Sequence, residues 1–190
     1  MVAAAVMLGA AGPPLDPDWP CVQRLVPELA AGAYWGGPAA PGDWHADPRV
    51  AAIVASVAPR GVPAQAGADQ LSAFADTVPA PDRPAVLAEV FAGLVEDTNT
   101  QRTEIIDRLH AIAHRQRLLA ETTSRITAEL RALPADAPAA QREEVVSRRA
   151  LLIREFQEIE RTIRYACEAP VQLEAKLGTL AQALQGKLGS

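Results

Sequence analysis

The 190 residues hold two cysteines, Cys21 and Cys167. A pair of thiols in one chain oxidises to a single disulfide in an exported protein, or stays reduced inside the cell. Cys21 stands between Trp19-Pro20 and an apolar cluster of Val22, Leu25 and Val26, in a segment that needs a surface to cover it. A disulfide between Cys21 and Cys167 is the sharpest expectation. It would close a loop of well over a hundred residues, which the chain-entropy model values at about 5 kcal/mol. Other reactive groups are sparser. His110 and His114 lie one helical turn apart, a spacing that suits metal ligation with Glu158 and Glu160 nearby, but no third histidine is guaranteed and both flank the seam rather than converge in a cavity, so they are weak candidates and no metal site or cofactor is expected. Asp43-Trp44-His45-Ala46-Asp47 offers two carboxylates and an imidazole, in a loop where Asp47 is already suited to capping a helix. No serine or cysteine sits in a nucleophile motif and no carboxylate pair can be assigned to a cleft, so the chain reads as non-enzymatic.

The elements that would position these groups are helical. From about Pro84 onward apolar residues recur in alternating steps of four and three, the spacing that keeps one seam facing a partner helix. The first seam runs Ile105, Leu109, Ile112, Gln116, Leu119, Thr123, Ile126, Leu130, Leu133, and the second Val145, Arg149, Leu152, Phe156, Ile159, Ile163, Ala166, Pro170, Leu173, Leu177, Leu180, Leu184. Between them lies a break at residues 134–138. The expected fold is all-α: a long antiparallel two-helix coiled-coil hairpin over 84–190, with an irregular Trp-, Pro- and Gly-rich arm over 13–83 whose two short helices pack at its base. Asp47-Pro48 opens the first short helix, with Val50, Ile53, Val54 and Val57 on one face. A second is expected over Ala68–Thr77, with Leu71 and Phe74 turned inward. Trp19, Trp35 and Trp44 all fall in the arm, where their rings would staple it to the helices.

With the tip near Asp136, facing residue numbers sum to about 272 in an antiparallel pair. Pro170 then lies beside Arg102, inside the polar run Glu96–Glu104. Thr98, Asn99, Gln101, Arg102 and Pro170 form a candidate polar pocket, at a point where Pro170 should kink the second helix and free the carbonyl of Ala166.

The net charge of −5 is unevenly spread: residues 1–83 carry 4 basic and 8 acidic side chains, and 84–190 carry 14 and 15. Nothing concentrates positive charge on one face, which argues against nucleic-acid binding. Residues 1–12 form a small, apolar run ending in glycine, a candidate signal-peptide remnant with Gly9 and Ala11 at the −3 and −1 positions of a cleavage site, though without a basic start. The run is too short to span a bilayer, which takes about 20 apolar residues, and no later segment qualifies.

Two motifs, Asp18-Trp-Pro-Cys-Val-Gln-Arg-Leu-Val-Pro-Glu28 and Tyr165-Ala-Cys-Glu-Ala-Pro170, resemble uncharacterised exported helical proteins of proteobacteria. The resemblance covers a small part of the chain; it implies export and no particular activity. Together these features point to a periplasmic interaction or structural protein that presents its hairpin to a protein partner, with homo-oligomerisation open as one form of that partnership. The alternative is a small-molecule or metal-binding module built from the arm and the Pro170 region.

Overall fold

The computed structural model describes Asp16 and residues 18–189; the candidate signal remnant at 1–12 lies outside the described residues. The described chain is all-α, with no strand among the described residues. Among the described residues the α-helices are α1 Pro48–Val57 and α2 Ala64–Thr77, both within the arm, then α3 Arg83–Ala132, α4 Ala139–Ala166 and α5 Glu168–Gln185. At 1.5 Å per residue α3 is about 75 Å long.

Local chemistry sets each start. The Asp47 carboxylate accepts the Arg49 backbone N–H at 2.8 Å and pairs with the Arg49 guanidinium at 2.7 Å, while Pro48 fills the first helical position. These hydrogen bonds from Arg49, first its side chain and then its backbone, hold the Asp47 carboxyl down at about 2. The same four-three spacing that marks α1 in the sequence buries Val50, Val54 and Val57, and the helix ends two residues before Pro59. α2 begins at Ala64 rather than Ala68, because Pro63 ends the preceding turn and Ala64, Gln65 and Ala66 are unhindered in a first turn.

The core lies at one end of the molecule. Leu71 of α2, Val50 and Val57 of α1, Leu87, Val90 and Leu94 of α3, and Leu177 and Leu184 of α5 are closed to solvent within one cluster. Gly67 lets α2 approach α5, since a Cβ there would meet Leu180 at 3.0 Å. Gly93 does the same for the arm: a Cβ would come within 2.8 Å of the Trp44 ring and 2.9 Å of Val54. Gly93→Ala is therefore expected to cost about 1–3 kcal/mol through overpacking, and to shift the tryptophan emission as the Trp44 ring is displaced. Unchanged emission and stability would show that the ring yields freely.

Trp35 stacks on Phe91 with centroids 4.8 Å apart, and Trp44 donates its indole N–H to Glu96 at 2.8 Å. Two of the three arm tryptophans thus cover the α3 face of the core, and Trp19 lies edge-on to His110 farther along α3.

Beyond Ala113 α3 has no fully buried residue, and its neighbour α4 has only Val145 and Ile163. The two helices run antiparallel, as the cross-pairs Arg115–Glu155, Arg149 to Thr127 (2.9 Å) and Arg148–Glu129 (2.6 Å) require. Every seam position named from the sequence is buried or half-buried. In the distal half they are mostly half-buried, because two helices alone can enclose one side of each seam residue and no more. Leu109, 1% exposed, should lose about 2–5 kcal/mol on substitution by Ala, whereas half-buried Leu119 should lose markedly less. Urea unfolding of the two variants tests this; equal losses would mean that a further surface covers Leu119.

One expectation is corrected. The second arm is not a single helix kinked at Pro170: α4 stops at Ala166, Cys167 caps it, and a new helix begins at Glu168 with Pro170 in its first turn. Proline is tolerated there because first-turn N–H groups have no intrahelical acceptor.

Candidate functional site

Cys21 and Cys167 are joined, with Cα atoms 5.6 Å apart and a sequence separation of 146. The bond sits at the break between α4 and α5, where Gln23 also donates its side-chain amide to the Cys167 carbonyl. Three further contacts tie the arm to the helices, and one braces the arm itself. The Trp19 indole donates to the Gln23 carbonyl at 2.6 Å, fixing the turn of the arm; Asp16 lies 3.3 Å from His110 Nε2; Asp18 pairs with Arg117 at 2.5 Å; and the Asn99 amide grips both backbone groups of Leu29, accepting its N–H at 2.8 Å and donating to its carbonyl at 3.1 Å.

The residues grouped in the sequence as a polar pocket lie along this junction. Arg102, 3% exposed, donates to the Pro170 carbonyl at 3.0 Å and to the Val26 carbonyl at 2.5 Å, and stands 3.2 Å from a Glu174 carboxylate oxygen. Gln101 donates to the Ala58 carbonyl at 3.2 Å and to Asp97. Thr98 is buried. Their donors are directed at backbone carbonyls of the arm, of the loop after α1 and of α5. Nearby, Lys176 donates to the Ala58 and Pro59 carbonyls at 3.2 and 2.7 Å, and desolvation lowers its pKa. Polar and charged side chains of α3 and α5 thus hold backbone carbonyls of the arm, of the loop after α1 and of the start of α5.

The histidines do not converge. His110 faces Asp16 and the Trp19 ring, whereas His114 is exposed and lies 3.1 Å from Arg117 Nη2. Among the described residues no group of three His, Cys, Asp or Glu could hold a metal ion. Asp43 caps the short turn Trp44–Ala46 and Asp47 caps α1: Asp43 accepts the His45 backbone N–H at 3.0 Å and lies 2.9 Å from its imidazole, and these contacts lower its pKa.

The feature that sequence reasoning missed is the difference between the two flanks of the α3/α4 pair. One flank is crossed by Arg115–Glu155 and Glu129–Arg148, with Leu118 and Leu151 projecting from it. On the other, a groove of about 620 Å³ runs between the helices, floored by Ile153 and Phe156 and edged by Ala120, Ser124 and Ala128. Among the described residues no ion pair spans this groove. The hydroxyl oxygen of Thr123, in its wall, is shut from solvent and lacks a hydrogen-bond partner. Toward the base the same flank continues as a second groove of about 690 Å³ beside the disulfide, bounded by Pro20–Gln23 and by Glu160, Ile163 and Val171. The available signal was the four-residue spacing of Ala120, Ser124 and Ala128, which leaves room on one flank of α3 only.

No helix among the described residues is long and apolar enough to cross a membrane. Comparison with protein-family models, curated proteins and solved structures found no match, so the surface is interpreted from its own geometry.

Proposed function

We propose that this chain is a non-enzymatic interaction protein of the periplasm, whose coiled-coil hairpin, formed by α3 and α4, offers its open flank to a helix of another chain. The observation that carries this reading is the groove between Ala120–Ala128 and Ile153–Phe156, an open channel with Ile153 and Phe156 in its lining that no ion pair among the described residues crosses. An amphipathic helix laid there would cover the exposed side of the half-buried seam and complete a three-helix layer. The disulfide supports an oxidising compartment. The donors around Pro170 already serve backbone carbonyls, which favours the hairpin over the arm as the binding surface.

The test is capture from an envelope fraction. The full chain is compared with one in which a matched heptad, 124–130 and 146–152, is removed from each arm. Loss of specific partners with helicity retained supports the reading; an unchanged set of partners would overturn it in favour of the arm.

A further inference from the structure

Cys21 and Cys167 face two ways. On one side they pack against Ile105, Leu109 and Leu173, beside Trp19 and Ala169. On the other they line the groove of about 690 Å³ between Pro20–Gln23 and the α4/α5 break, and both are partly exposed. Two further features accompany the bond there. Val22, next to Cys21, is fully exposed, and Val171 of α5, in the wall of the same groove, is exposed too. Among the described residues, no backbone N–H or C=O of Cys21 or Val22 has a hydrogen-bond partner within the chain, although the segment is neither helix nor strand. A bond that merely staples the arm needs neither exposed valines beside it nor free main chain. A protein that brings a thiol to the bond uses both: its main chain pairs with that of Val22, its apolar surface covers Val22 and Val171, and its sulfur is then held against the disulfide.

We propose that this groove is the docking site of a protein bearing a redox-active pair of cysteines, which exchanges thiols there with the Cys21–Cys167 bond. The attack falls on Cys21, whose neighbour carries the free main chain and the exposed side chain, whereas Cys167 is fixed between two helices with its carbonyl held by Gln23. A partner thiolate bonds to Cys21 Sγ as the Cys21–Cys167 bond breaks, and the electron pair leaves on Cys167 Sγ, which takes a proton from water. The partner's second thiolate then attacks its own first sulfur, and Cys21 leaves as a thiolate that is protonated in turn. The chain gains two electrons and two protons, and the partner is left with a disulfide. The reverse sequence installs the bond. Opening it removes the covalent hold on the arm over Ile105, Leu109 and Leu173, so the exchange sets how firmly that cluster is covered. This site shares only Glu160 with the lining of the α3/α4 groove, and either reading can fail alone.

The experiment uses the intact oxidised chain, with reduced thioredoxin as the probe protein dithiol and dithiothreitol as the small one, compared at equal thiolate concentration. The protein should open the bond at least about tenfold faster. A thioredoxin whose second cysteine is replaced by serine should be trapped as a mixed disulfide on Cys21, read by mass spectrometry. Val22→Ser with Val171→Ser should slow the protein about tenfold through lost apolar cover and leave dithiothreitol unaffected. Val146→Ser, an exposed valine farther along α4, should change neither rate. Equal rates for the two reductants, or no trapped adduct, overturn the docking site. So does a protein rate indifferent to the two valines. If the valine replacements speed or slow both reductants alike, they act on the bond's access and not on a docked protein, and the proposal falls.

Discussion

Reduction of the Cys21–Cys167 bond, or replacement of Cys21 by serine, lowers the melting temperature by about 10–20 °C, because about 5 kcal/mol of loop-closure entropy is returned to the unfolded chain and a domain of this size shifts about 2–4 °C per kcal/mol. The estimate follows from the separation of 146 residues. Cys167→Ser should have the same effect, and the double replacement should cost no more than either single one, since both remove the same link. Within the native state the first change should be local. Residues 18–29 have no helix of their own and rest on α3 and the α4/α5 break through side-chain contacts. Hydrogen exchange after mild reduction should therefore rise first in this arm, with the α1, α2 and α5 core unaffected. A melting curve indifferent to reductant would show that the remaining contacts hold the arm unaided.

Arg102 should rank next in effect. Its guanidinium is buried and serves three segments at once: the Val26 carbonyl in the arm, the Pro170 carbonyl in α5 and the Glu174 carboxylate. Removing one member of a buried ion pair costs about 3–5 kcal/mol. Arg102→Met should fall toward the lower figure, because the Glu174 side chain is 36% exposed and can be resolvated. Arg102→Lys keeps the charge but cannot reach two carbonyls from one planar fork, so it should lie between the wild type and Met. Chemical denaturation of both variants, alongside Glu174→Gln and the double replacement, gives the coupling directly. An additive cycle would assign the effect to the carbonyls alone. Because Arg102 and the disulfide hold the same arm, their losses should not add: after reduction, Arg102→Met should cost less than it does in the oxidised protein.

The all-α class and the buried seam positions are legible in the sequence because α3, α4 and α5 carry a four-three apolar pattern that only a helix presents to one side. The break at residues 134–138 then fixes which residues face each other, and Pro170 does lie at Arg102. The disulfide is legible because there are two cysteines and one of them sits among apolar arm residues that require a surface. What could not be seen is how the polar run was used. Asn99, Gln101 and Arg102 have the composition of a solvated face or a ligand pocket, and nothing in their spacing reveals that their acceptors are backbone carbonyls of Leu29, Ala58 and Val26. Those acceptors belong to irregular segments, which leave no periodic trace. The helix boundary at Cys167 was hidden for a different reason. Proline is compatible with either a kink or a first turn, and the seam pattern runs across the break without interruption from Ile163 through Pro170 to Leu173. The two flanks of the α3/α4 pair were indistinguishable on apolar pattern alone, since their difference lies in side-chain size and in which charges happen to meet.

The position of the bridged cysteines also constrains the order of biogenesis. As the chain emerges N-terminus first, Cys21 waits while α1, α2, α3 and α4 are made, and its partner follows only at the start of α5. The bond can therefore form only after α4 has been made. With two thiols in the 190 residues there is one intramolecular pairing, so no scrambled isomer exists for a disulfide isomerase to correct. The hazard during maturation is instead the lone, early Cys21 thiol, which can be captured by another molecule before Cys167 arrives.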